Sequence, residues 1–163
     1  MNVAVLSDTH MPNRGRDLPV QAWEIVASSD AVVHAGDVVT ADLLVDLASV
    51  CPSHTMYAVR GNNDGAIAEP LPDRLEVDIA GVPVAVVHDS GPSIGRRARM
   101  RRWFPTARVV VFGHSHMPLI DDDGDLMLLN PGSPTERRRM PTHTMAVLTI
   151  SNGVPTAELV HLD

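Results

Sequence analysis

A chain of 163 residues with 44% hydrophobic content can supply the core of one domain, and a single domain over residues 1–163 is the expectation. Its formal net charge of −7 repels polyanions, which argues against extended nucleic acid as a partner, and no apolar run approaches the roughly 20 residues that span a bilayer. The single cysteine, Cys51, excludes an internal disulfide framework, and an opening that runs straight into an apolar segment without a charged leader predicts a cytoplasmic location.

Aromatics make up only 3% of the chain, so Val, Ala, Leu, Ile and Met must build the core, which suits strands covered by helices. Residues 2–7 read as a strand, 19–28 as a helix and 31–35 as a second strand. A helix over 40–50, with Thr40 placed to cap it, and a strand over 55–60 complete a β-α-β-α-β run. Further strands are expected at 74–79, 83–88, 108–112, 126–130 and 144–151, with a helix over 93–103 capped by Ser93. Ala80-Gly81, residues 122–125 and Asn152-Gly153 carry hairpin-turn chemistry, so the second half is richer in antiparallel strands. The fold class is α/β: two mixed sheets face to face with helices outside. All thirteen basic residues are Arg, a compositional bias that carries no functional reading.

Polar residues recur where the strands end. Asp8 and His10 follow the first, Asp37 the second, Asn62 and Asp64 the third; His88 ends the fifth, and His114 and His116 follow the sixth. Ligands of open α/β sheets bind outside the carboxyl ends of the strands, so five strand ends delivering Asp, Asn and His to one rim predict a metal site. Oxygen and imidazole donors without thiolates suit Mn, Fe, Ni, Co, Zn or Mg, with Mn the first choice. Asp8, His10, Asp37, Asn62, His88, His114 and His116 are too many donors for one ion, whereas two ions sharing a carboxylate use them all. Such a pair acidifies a bridging water, which then attacks phosphorus opposite the leaving oxygen. Hydrolysis of a small phosphate ester, a phosphodiester first, is the expected activity.

Ser7-Asp8-Thr9-His10, Gly36-Asp37, Gly61-Asn62-Asn63-Asp64, His88, Gly113-His114-Ser115-His116 and Asn130-Pro131-Gly132-Ser133 together resemble the calcineurin-like metallophosphoesterase superfamily, in particular its small bacterial and archaeal phosphodiesterase branch. The resemblance implies a four-layer α-β-β-α sandwich. It implies one ion on Asp8, His10 and His116, another on Asn62, His88 and His114, and Asp37 as the bridge. It gives Asp37, Asn62, Asn63 and His114 the catalytic roles. Two departures stand out. Asn63 occupies a position where many members have a histidine, and an amide cannot deliver a proton, so esters with good leaving groups are expected to be preferred. Asp89 follows His88 where glycine is frequent, which brings a carboxylate near the second ion.

Other readings attach to the same residues. The superfamily includes a scaffold subunit of an endosomal coat, so a non-catalytic interaction module is the alternative from another class; the complete ligand set favours the enzyme. Phosphomonoesterase or nucleotidase activity depends on rim loops, for which Asn13, Arg14 and residues 65–72 are candidates. Oligomeric state, a homo-oligomer included, is left open. His34 reads as a packed strand residue, and His54, His143 and His161 have no partner pattern. Asp64 is expected to order its own loop. Residues 121–125 do not have the glycine and terminal glutamate of a calcium loop at their required spacings, and read as a solvated hairpin turn. The arginine runs at 96–102 and 137–139 read as solvated faces that would steer substrate phosphate only if they border the site.

Overall fold

The computed structural model describes residues 1–65, 67 and 71–162. In chain order its elements are β1 (Asn2–Leu6), α1 (Val20–Ala27), β2 (Ala31–His34), α2 (Ala41–Val50), β3 (Met56–Ala58), β4 (Arg74–Ile79), β5 (Val82–Val87), α3 (Arg96–Trp103), β6 (Val109–Val111), β7 (Leu119–Asp122), β8 (Met127–Asn130), β9 (Thr144–Ser151) and β10 (Val154–His161). One sheet has the order β10-β9-β1-β2-β3, the other β4-β5-β6-β8-β7. In the first, β1, β2 and β3 run parallel, β9 pairs antiparallel with β1 and β10 antiparallel with β9; in the second, β5, β6 and β8 run parallel and β4 and β7 close the edges antiparallel.

Strand alternation divides the apolar side chains among three cores. Val3 and Val5 of β1 point between the sheets with Val33, Val84, Val86, Val109, Val111 and Leu148. Ala4 and Leu6 point the other way, under Ala22 and Val26 of α1 and Leu43 and Leu47 of α2. On the far side Ala85, Val87, Val110 and Leu128 meet Met100 of α3 and Phe104. The result is a four-layer α-β-β-α sandwich, as the motifs implied.

Ala80-Gly81 and Asn152-Gly153 both place two successive residues at positive φ, 51° and 82° in the first pair and 51° and 75° in the second, the geometry of a two-residue hairpin. Two strands differ from expectation. Strand β7 has only two apolar residues, Leu119 and Ile120, and its Asp121 and Asp122 read as turn. Strand β10 carries Pro155, which an edge strand tolerates because that N–H side need not pair. The caps differ as well. Thr40 stands at the start of α2 without a side-chain capping bond. Helix α3 begins after Gly95 at φ 70°, not at Ser93, whose carbonyl accepts the Arg96 N–H instead.

Candidate metal centre

Strands β1, β2 and β3 of one sheet and β5 and β6 of the other end at the same rim, and each releases its polar loop there. Bonds between loops of the two sheets close the seam. The His114 N–H donates to Asp8 Oδ2 at 2.9 Å across the seam, and within the second sheet the Gly113 N–H donates to the His88 carbonyl at 2.9 Å. His88 Nδ1 lies 2.7 Å from the Ala35 carbonyl and must donate to it, which turns Nε2 inward, a donor to Asp37 when the ring is protonated and a lone pair when it is neutral. His116 Nδ1 is fixed likewise, 2.6 Å from the Glu136 carbonyl.

All seven candidate ligands converge. Asp8 Oδ1 lies 3.4 Å from His116 Nε2, and His10 Nε2 lies 3.3 Å from His116 Nε2. Such spacings fit donors that share one ion at about 2 Å. On the other side, His88 Nε2 is 3.1 Å from Asn62 Oδ1, which is 3.0 Å from His114 Nδ1. Asp37 Oδ2 stands between the two sets, 3.6 Å from His10 Nε2 and 3.4 Å from His88 Nε2. By distance alone Asp8 joins both clusters, Asp8-His10-His116 and Asp8-Asp37-His88. Its 4.0 Å separation from His88 Nε2 makes it the less centred of the two carboxylates.

The backbone under these donors is unusual. Asp8, His10, Asp37, His114 and His116 all adopt positive φ, between 46° and 66°. Non-glycine residues held there carry strain of order 1 kcal/mol each and cluster at functional sites. Close approach explains two neighbouring glycines. A Cβ on Gly61 would lie 2.2 Å from the Asp37 backbone nitrogen, and one on Gly113 would lie 1.8 Å from Ser7 Oγ.

Several residues support the rim, and of these Glu136 is the one that the sequence did not single out. Buried His34 accepts the Gly36 N–H on Nδ1 and therefore donates from Nε2 to Thr9 Oγ1, joining two ligand loops. Asn130 Nδ2 donates to the Gly113 carbonyl, and Ser133 Oγ donates to the Asp8 carbonyl. These bonds give the Asn130-Pro131-Gly132-Ser133 motif its structural meaning. Glu136 brings a carboxylate to 3.8 Å from His10 Nε2. Asp64 Oδ2 accepts the Asp37 and Gly61 N–H groups and its Oδ1 that of Val39.

Other expectations change. Asn63 points its carboxamide inward, 2.7 Å from Asp37 Oδ2, rather than toward a substrate oxygen. Asp89 Oδ1 turns back onto the Gly91 N–H. The α3 arginines are not a solvated face. Arg97 pairs with Asp121 and Asp123, Arg99 clamps the Ser90 and Pro92 carbonyls, and Arg101 reaches the Ala107 and Asp125 carbonyls. Asn13 and Arg14 do line a cleft beside His10. Of residues 65–72, 66 and 68–70 lie outside the described residues.

Burial pushes the Asp8 carboxyl up to about 6, with Asp37 adding to the rise and His88, Ser7 and the His114 N–H partly opposing it. Burial alone would raise Asp37 too, but hydrogen bonds from His88 and Asn63 outweigh it and hold the carboxyl well below its usual range. Burial pushes His116 down to about 4, so near neutral pH it offers a lone pair. For His88 burial is outweighed by Asp37 and Asp8, which raise it. A proton on Asp8 therefore competes with an ion below pH 6. Manganese affinity, titrated calorimetrically, is expected to fall by at least about fivefold from pH 6 to 5, because protons on Asp8 and on the raised His88 both compete with the ions. A flat profile there would overturn the assignment of Asp8. The folded value lies above that of a free carboxyl, so ionised Asp8 opposes folding of the ion-free chain as pH rises through 6.

The chain belongs to the calcineurin-like phosphoesterase superfamily, whose domain model matches residues 1–153. A probable metallophosphoesterase of Methanothermobacter thermautotrophicus is 31% identical over 162 residues, which cover 98% of this chain and 92% of that one. Two solved structures share the fold. Vps29 of Entamoeba histolytica, crystallised with zinc, superposes with a TM-score of 0.77 at 19% identity, covering 100% of each chain. An archaeal phosphodiesterase does so with a TM-score of 0.72 at 21% identity, covering 98% of this chain and 100% of that one.

Proposed function

We propose that this protein is a metal-dependent phosphodiesterase that uses two divalent ions, manganese first, on small phosphate esters. The observation that carries the reading is the position of Asp37 Oδ2 between His10 and His88, each at the inner edge of its own donor set. Asp8, His10 and His116 would hold one ion and Asn62, His88 and His114 the other. Ions bound there supply Lewis-acid polarisation of phosphoryl oxygens and a water acidified toward neutrality.

The protein's own groups set charge and orientation. Asp8 and Asp37 place two carboxylates in the site, too few to cancel two divalent ions, so the rim favours phosphate although the chain is acidic. His88 and His116 are locked in the tautomer that binds through Nε2. Asn63, tied to Asp37, provides no proton for a leaving group. Aryl diesters should therefore be cleaved much faster than alkyl diesters, and near-equal rates would count against this account.

A second reading, a non-catalytic interaction module, is supported by the fold shared with Vps29, a protein named for vacuolar sorting. Because that protein was crystallised with zinc, metal binding by itself does not separate the two readings. Turnover does. Metal-stripped protein supplied with Mn, Ni, Mg or Zn should hydrolyse bis(p-nitrophenyl) phosphate, and His114→Ala should abolish the reaction. Absence of turnover with every ion, despite bound metal, would favour the interaction module.

A further inference from the structure

The cleft beside His10 has a volume of about 380 Å³ and is lined by Asn13, Arg14, Asn63, Glu136 and Arg138. Two guanidinium groups against one carboxylate make it cationic on a chain whose net charge is −7. Arg14 is half occupied, with its Nε 3.4 Å from Glu136 Oε1. Arg138 has no ion pair among the described residues, and its one hydrogen bond there is a long contact of 3.4 Å to the His114 carbonyl. Its flanking neighbour Arg137 folds back onto the Met140 and Pro141 carbonyls, so it is Arg138, at φ 51°, that turns toward the ligand rim.

A simple diester brings a single negative charge, and that charge belongs at the ions. Two further cations in the adjoining cleft are surplus to it. Asn63 contributes nothing outward, because its amide is committed to Asp37. The open donors are those of Arg138, Arg14 and Asn13, and a guanidinium fork matches the paired oxygens of a phosphate. We infer that the cleft receives a second phosphate group, carried on the ester arm that lies on the His10 side. The substrate class is then a phosphate ester bearing another phosphate a few bonds away. This rests on the phosphoesterase reading above. In it Glu136 is a positioning residue that holds Arg14 beside His10.

The test measures binding, independent of turnover. Manganese-loaded protein would be titrated calorimetrically with propyl phosphate and with propane-1,3-diyl bisphosphate, whose flexible spacer lets the second phosphate find its own position. The wild type is expected to bind the bisphosphate at least about tenfold more tightly, and Arg138→Gln to remove about tenfold of that advantage, with Arg138→Lys retaining part of it. Chelation of the ions by the bisphosphate is common to all variants, so the change in the ratio isolates the arginine. Arg14→Gln, at a position 63% exposed, provides a second variant that spares the core and should also lower the ratio. An advantage unchanged in both glutamine variants overturns the proposal. Hydrolysis of bis(p-nitrophenyl) phosphate without that advantage leaves the enzyme standing and removes the subsite. The advantage without hydrolysis by any ion leaves the anion site standing and removes the enzyme.

Discussion

Asp37→Ala is expected to reduce metal-dependent turnover of bis(p-nitrophenyl) phosphate by at least about 10³-fold, since the loss of an ion removes several kcal/mol of transition-state stabilisation. Asp37 Oδ2 lies 3.6 Å from His10 Nε2 and 3.4 Å from His88 Nε2, so its removal weakens both donor sets. The same change leaves the Asn63 N–H and carboxamide without their acceptor, and the loop that carries Asn62 loses its anchor. Bound metal, counted by mass spectrometry after desalting, should fall from two ions per chain toward one or none. Full metal content with unimpaired turnover would rule out Asp37 as the bridge.

Asp64→Ala should be the most destabilising substitution near the rim. The Asp64 side chain is buried and accepts three backbone N–H groups, those of Asp37, Val39 and Gly61, at 2.7 to 2.9 Å. Leaving three buried donors unmet costs on the order of 4 kcal/mol. For a chain of this size that corresponds to a drop in melting temperature of roughly 10 °C. Asp64→Asn keeps one acceptor and should fall between the two. A shift below about 2 °C for the alanine variant would mean that water satisfies those groups. The experiment belongs on metal-stripped protein, because ions would mask part of the loss by mass action.

Much of this architecture can be read from residues alone, for identifiable reasons. Val3, Val5, Val109 and Val111 lie in apolar runs too continuous for a half-solvated strand, and the structure buries them between two sheets. The candidate ligands were legible because each follows such a run within a few positions. Strand β7 was not, because its Asp121 and Asp122 gain their place from pairing with Leu128 and Met127 rather than from their own propensity. Strand β10 was hidden by Pro155, harmless only at an edge. The cleft of Arg14, Glu136 and Arg138 was legible only in part, with Arg14 a rim candidate and the run at 137–139 a conditional one. Its members come from loops more than a hundred residues apart, and nothing in their local sequence says that they meet. The inward turn of Asn63 likewise depends on Asp37, which lies 26 residues earlier.

The left-handed backbone beneath five of the ligands bears on descent as well as chemistry. Each such residue carries a cost that a glycine would relieve, and on the phosphoesterase reading a bound ion would help to offset it. A lineage that ceased to use its ions would feel selection for fold stability alone, and glycine or asparagine would accumulate at those five positions first. On that reading, Asp and His retained in that conformation would mark a lineage that still uses its ions.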